Sequence, residues 1–81
     1  MYKIAVMGDY DSIYGFAAVG LDTYPLSDEK EAEKRLHQLV LSQYAVIYIT
    51  EEWAAKIPQA IDKYKDQILP AIIQIPGVSG N

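Results

Sequence analysis

Four short apolar runs of strand length, each followed by a turn signal or a helical pattern, constrain this chain more than any other feature. The first is Tyr2-Lys3-Ile4-Ala5-Val6-Met7, closed by Gly8-Asp9, and the second is Leu21 to Tyr24, ended by Pro25. The third, Tyr44-Ala45-Val46-Ile47-Tyr48-Ile49, is β-branched, aromatic and nearly unbroken, as in a strand buried on both faces. The fourth, Pro70-Ala71-Ile72-Ile73-Gln74-Ile75, is stopped by Pro76-Gly77. Helical patterns lie between them. Ser12 and Gly20 read as the N-cap and the stop of a short first helix. Asp28 followed by Glu31 has capping-box spacing, and Ala32, Leu36, Leu39 and Val40 form the apolar stripe of a helix from about Asp28 to Ser42. Thr50 reads as the cap of a third helix opening on Glu51 and Glu52. Its stripe runs Trp53, Ile57, Ile61, Tyr64, Ile68, with a break where Pro58 opens a second piece. The order βαβαβαβ predicts an α/β fold: a four-stranded parallel sheet with right-handed crossovers and the flavodoxin- or receiver-like strand order 2-1-3-4.

Length and charge narrow the function. The 81 residues allow one domain, expected over 1–76, with 77–81 beginning a C-terminal link. A composition 51% apolar and 22% charged is too apolar for a disordered tail. No run approaches the ~18 apolar residues of a membrane span, and the Met-Tyr-Lys start lacks the apolar core of a signal peptide. The absence of cysteine removes a disulfide framework and a Cys-ligated zinc site. A net charge of -4 argues against nucleic acid and anionic membrane as partners. Core burial alone is marginal at this size, so either a partner or further flanking sequence is expected.

The topology points to where that partner sits. In the order 2-1-3-4 the second and third helices share one face, and only the short first helix is left for the other. Ile4, Val6, Ala45, Ile47, Ile49, Ala71, Ile73 and Ile75 make purely apolar alternating sets, whereas the opposite sets hold Lys3, Tyr44, Tyr48 and Gln74. Tyr48 and Gln74 are therefore expected on the thinly covered face. Tyr10, Tyr14 and Tyr24 are expected on or beside it, near the first helix. The candidate contact residues are Tyr14, Phe16, Leu21, Tyr24, Tyr48 and Gln74. Trp53 is expected in the core, with an interface role as the alternative.

Catalytic chemistry is poorly supplied. Asp9 and Asp11 follow the first strand, as does the acidic pair that helps hold magnesium in receiver domains. That family also needs an aspartate after the third strand, where Thr50 stands, and a lysine near the end of the sheet, which this chain lacks. Asp9, Asp11 and Thr50 remain the alternative reading, a small regulatory module binding a divalent ion or small anion. Gly8 stands alone where a phosphate loop would need several glycines, and His37 reads as a solvated side chain on the charged helix. No cofactor or metal site is expected, and no catalytic residue.

Further residues carry a family resemblance. Lys3-Ile4-Ala5-Val6-Met7-Gly8-Asp9, then Asp11-Ser12, Gly15-Phe16 and Gly20, resemble the start of the F subunit of V-type and A-type rotary ATPases, most closely its bacterial members. The resemblance continues through Val46-Ile47-Tyr48-Ile49-Thr50-Glu51-Glu52, Ile57-Pro58, Ile61, Tyr64-Lys65 and Pro70-Ala71-Ile72-Ile73-Gln74-Ile75-Pro76. The family often carries an arginine after the Gly-Phe of the first helix, where this chain has Ala17 and Ala18. Family members also continue past the fourth strand with a Gly-rich link and a helical tail, so this chain resembles the globular N-terminal domain without its tail. The resemblance implies a non-catalytic central-stalk component that docks on the coiled-coil D subunit and modulates ATP hydrolysis. It implies indirect contact with the catalytic head and membrane rotor subunits. It also implies a cytoplasmic position, peripheral to a membrane-bound complex whose coupling ion is sodium or proton.

Overall fold

A computed structural model describes residues 3–78. Its strands are β1 (Lys3–Gly8), β2 (Asp22–Pro25), β3 (Tyr44–Thr50) and β4 (Ala71–Ile75), all parallel in the order β2-β1-β3-β4. The helices are α1 (Tyr10–Ile13), running directly into a 3-10 helix (Tyr14–Val19), then α2 (Glu29–Val40), α3 (Glu51–Lys56) and α4 (Pro58–Asp62). The expected α/β sheet and its strand order are thus those of the fold.

The core lies between the sheet and α2, α3 and α4. Ala32, Leu36 and Leu39 of α2 pack with Ala5, Met7, Ile47 and Ile49 of the central strands and with Trp53, Ala54 and Ile57. Trp53 is 5% exposed, a core residue. α2 starts where its capping signal stands, for the Asp28 carboxylate accepts the Glu31 backbone N–H at 3.0 Å. α3 and α4 are split at Ile57, and Pro58 occupies the first turn of α4, where its missing N–H costs nothing.

Four local expectations are corrected. Asp9, not Ser12, flanks the start of α1, and the Ser12 hydroxyl donates to the Asp9 carboxylate at 2.8 Å. Most of the expected first helix is 3-10, ended by Gly20 at φ 93°, a left-handed conformation that glycine adopts without a Cβ clash. Thr50 precedes α3, but its hydroxyl caps nothing. The apolar stripe also stops early. α4 ends at Asp62 and Ile68 is 91% exposed, while Tyr64 folds back so that its hydroxyl meets His37 Nδ1 at 2.6 Å. His37 is exposed, as expected, yet tied.

Candidate docking surface

The two sheet faces differ in cover. α2, α3 and α4 close one. On the other, α1 and the 3-10 helix reach only the β1–β2 side, where Ile13 and Val6 are fully buried outside the main core. The register extends that face across β3 and β4: Val6 lies beside Tyr48, and Tyr48 beside Ile73. Tyr48 is half-buried, Ile73 is 42% exposed, and Ile4, Val46 and Ile75 keep part of their surface.

The first helical segment adds an aromatic step at the rim. Tyr10 and Tyr14 stack with ring centroids 5.5 Å apart, and both are exposed. Next to them a shallow, largely apolar groove is lined by Ser12, Gly15, Phe16 and Val19. Phe16 and Leu21 are half-buried, and the Phe16 carbonyl accepts the Leu21 N–H. Tyr14, Phe16, Leu21 and Tyr48 thus fall on this face or along its rim.

Tyr24 and Gln74 do not. Gln74 is paired in register with Ile49, a core residue under the helices, so it belongs to the helix-covered face and is exposed because β4 is an edge strand. Tyr24 packs against the main core, with the Arg35 guanidinium 5.2 Å from its ring centroid. Tyr44 is also displaced from the expected set. A register shift between Lys3 and Ile4 pairs Lys3 with Tyr44 but Ile4 with Val46, which rotates Tyr44 into the core, 5% exposed. There its hydroxyl donates to Asp22 Oδ2 at 2.8 Å and accepts from Tyr24 at 2.5 Å. Burial chiefly, then the hydrogen bonds with Tyr24 and Asp22, push the Tyr44 phenol far above its ordinary pKa.

The alternative ligand set is not assembled. The Asp9 carboxylate is taken up by Ser12, Asp11 is exposed on α1, and Thr50 is fully buried with a hydroxyl that has no partner. Among the described residues no group of three or more His, Asp or Glu side chains could hold a metal ion, and no helix is long and apolar enough to cross a membrane. Ile4, Val46, Ile73, Ile75 and Val19 of this face lie outside the contact set expected from sequence. The alternation Ala71, Ile73, Ile75 on an uncovered strand is the available signal for the β4 residues. Val19 has none, because a 3-10 segment does not keep helical spacing.

A profile of the family described as ATP synthase (F/14-kDa) subunit matches residues 4–81. The F subunit of the V-type ATP synthase of Clostridium perfringens is 44% identical over 81 residues, covering 99% of this chain and 77% of that protein. Its V-type counterpart in Fusobacterium nucleatum is 41% identical over 81 residues, with 100% and 77% covered, and the A-type counterpart in Methanosphaera stadtmanae is 36% identical over 80 residues, with 96% and 76% covered. The crystal structure of the F subunit of the V-type ATP synthase from Archaeoglobus fulgidus superposes with a TM-score of 0.76 at 23% identity, over 91% of this chain and 96% of that one, a likeness of fold. On the family match over nearly its whole length and on these relatives, the chain belongs to the family of F subunits of V-type and A-type ATP synthases.

Proposed function

We propose that this chain is a non-catalytic block of the rotor shaft in a V-type ion-translocating ATPase, docking its thinly covered sheet face on the coiled-coil D subunit. The observation that carries this reading is the half-open face running from the Tyr10–Tyr14 stack and the Phe16 groove to Tyr48 and Ile73. Aromatic and aliphatic side chains with part of their surface in water gain from a partner that removes it, at about 25 cal/mol per Å² of apolar area. A helix pair offers a long apolar stripe to such a face. The family membership supplies the class of assembly.

In this role the domain performs no bond chemistry. ATP turnover in the catalytic head turns the shaft, and the block transmits torque through packed contacts. Close-packed interiors deform little, so a docked domain stiffens the shaft at its foot. Modulation of ATP hydrolysis, coupled to proton or sodium transport, follows if contacts differ between rotary states and bias their populations. The position is cytoplasmic and peripheral, with the head and membrane rotor reached through the coiled coil.

Co-purification of the chain with the coiled coil of a bacterial D subunit tests this, with calorimetric titrations of magnesium and of inorganic phosphate alongside. The expected result is a stable one-to-one complex and no heat from either titrant. Failure to bind the coiled coil, together with saturable binding of magnesium or phosphate, would replace the docking role with the ion-binding alternative at Asp9, Asp11 and Thr50.

A further inference from the structure

Tyr10 and Tyr14 hold their ring faces in water, 61% and 59% exposed, and stack with 17° between their planes. Aromatic faces carry negative potential and attract cations. Elsewhere this chain meets that attraction with its own side chains: the Arg35 guanidinium lies 5.2 Å from the Tyr24 ring centroid, and Lys56 Nζ lies 4.5 Å from that of Trp53. Among the described residues no cation sits over Tyr10 or Tyr14, and residues 4–29 contain no Lys or Arg. The same stretch holds five of the 11 acidic residues, so the net charge of -4 is concentrated there. Asp11 is exposed, and among the described residues its carboxylate joins no hydrogen bond or ion pair. It precedes Tyr14 by three residues and Gly15 by four. Helical spacing therefore sets it between the tyrosine step and the groove of about 300 Å³ lined by Ser12, Gly15, Phe16 and Val19.

Resting on the docking reading above, we propose that the tyrosine step is a socket for one arginine side chain of the coiled coil. The guanidinium plane stacks on the paired rings, its N–H groups donate to the Asp11 carboxylate, and its methylene stem lies toward the apolar groove. Arginine fits better than lysine, because a planar cation stacks and presents a two-pronged donor at once, whereas an ammonium is a strongly hydrated point charge. The socket supplies what the rest of the face lacks. Apolar burial is non-directional, so Tyr48 and Ile73 alone would let the domain slide along a helix pair. A charged, oriented contact at the rim fixes its height and rotation.

Two arms test the socket on the full chain. In the first, N-acetyl-arginine amide and its lysine counterpart are titrated against the chain alone, and the tyrosine ring signals are followed by NMR. Saturable shifts at Tyr10 and Tyr14 are expected with arginine, about threefold weaker binding with lysine, and no response in the double variant Tyr10→Ser with Tyr14→Ser. In the second arm, calorimetry measures affinity for the D-subunit coiled coil. The serine pair is expected to weaken it about tenfold, and Tyr10→Phe with Tyr14→Phe, which keeps the rings, to restore it to within about twofold. Asp11→Asn is expected to flatten the fall in affinity between about 50 and 300 mM salt. Full affinity in the serine pair, or no ring response to arginine, overturns the socket while docking stands. An arginine response in a chain that ignores the coiled coil overturns the docking reading and leaves the socket standing. Equal response to lysine overturns the assignment to arginine.

Discussion

Gly8 and Thr50 meet across the β1–β3 pair with no room for a methyl group. A Cβ on Gly8 would lie 2.6 Å from Thr50 Cγ2 and 3.1 Å from Ile13 Cγ2, and both neighbours are fully buried. Gly8→Ala therefore overpacks a site that cannot yield cheaply, and is expected to cost about 1–3 kcal/mol. Thermal unfolding checks it, with a fall of roughly 4–8 °C per kcal/mol for a domain of this size; an unchanged melting temperature would show that the strands can part there. A second residue-scale prediction concerns Tyr44, whose hydroxyl stands between Tyr24 and Asp22. Tyr44→Phe leaves the Asp22 carboxylate without that donor and the Tyr24 hydroxyl without that acceptor, and is expected to cost about 1–3 kcal/mol. Its pH dependence has a definite sign. The folded phenol is held above its ordinary pKa by burial first and by its two partners next. The unfolded chain loses this proton near pH ~10 while the folded one keeps it, so Tyr44's contribution is full below pH ~10 and declines above it. Urea midpoints between pH 9 and 11 should fall more steeply for the native chain than for Tyr44→Phe, and parallel curves would refute the assignment.

The elements separate into those whose local signals agree with their packing and those that tertiary structure overrides. α2 is the first kind, with acidic residues in its opening turn, Asp28 closing an orphan N–H, and Ala32, Leu36 and Leu39 on one buried stripe. Because the cap is exposed and simple, Asp28→Ala is expected to remove about 1 kcal/mol, read as a lower urea midpoint at unchanged slope; no change would mean the cap is replaced by water at no cost. β1, β3, β4 and the break at Pro58 are equally legible in the sequence, since alternation, β-branching and proline act within a few residues. The first helical segment is not. Ser12 and Gly20 carry the right residue types for a helix start and stop, but only Ser12 and Ile13 of that interval are α-helix, and the Ser12 hydroxyl turns to Asp9. The side of Tyr44 is hidden as well, because a one-residue register shift moves a side chain to the opposite face and leaves no trace in alternation. Gln74 departs from its expected face for a related reason. Alternation fixes which residues of one strand share a face but not how that set aligns with the neighbouring strand, and the β3–β4 register puts Gln74 beside Ile49.

At the scale of the whole molecule, strand order and helix length together create the open face. Right-handed connections in the order 2-1-3-4 send β1–β2 over one side and β2–β3 and β3–β4 over the other. The first side receives four residues of α-helix and six of 3-10, the second the 12 of α2 plus the six and five of α3 and α4. Tyr48 and Gln74 provide the contrast that tests the meaning of this asymmetry, since both are strand residues with exposed surface yet they point to opposite faces. If the thin face docks a coiled coil, Tyr48 loses its remaining water contact on binding and behaves as an aromatic anchor. Tyr48→Ala is then expected to weaken binding to the D subunit at least tenfold, about 1.4 kcal/mol or more. Gln74→Ala, on the helix-covered side, should leave affinity within twofold. Titration calorimetry of both variants, each checked for a native melting curve, decides the matter. A large loss in Gln74→Ala with little change in Tyr48→Ala would place the shaft against the edge of the helical layer, and equal losses would exclude a docking surface confined to one face.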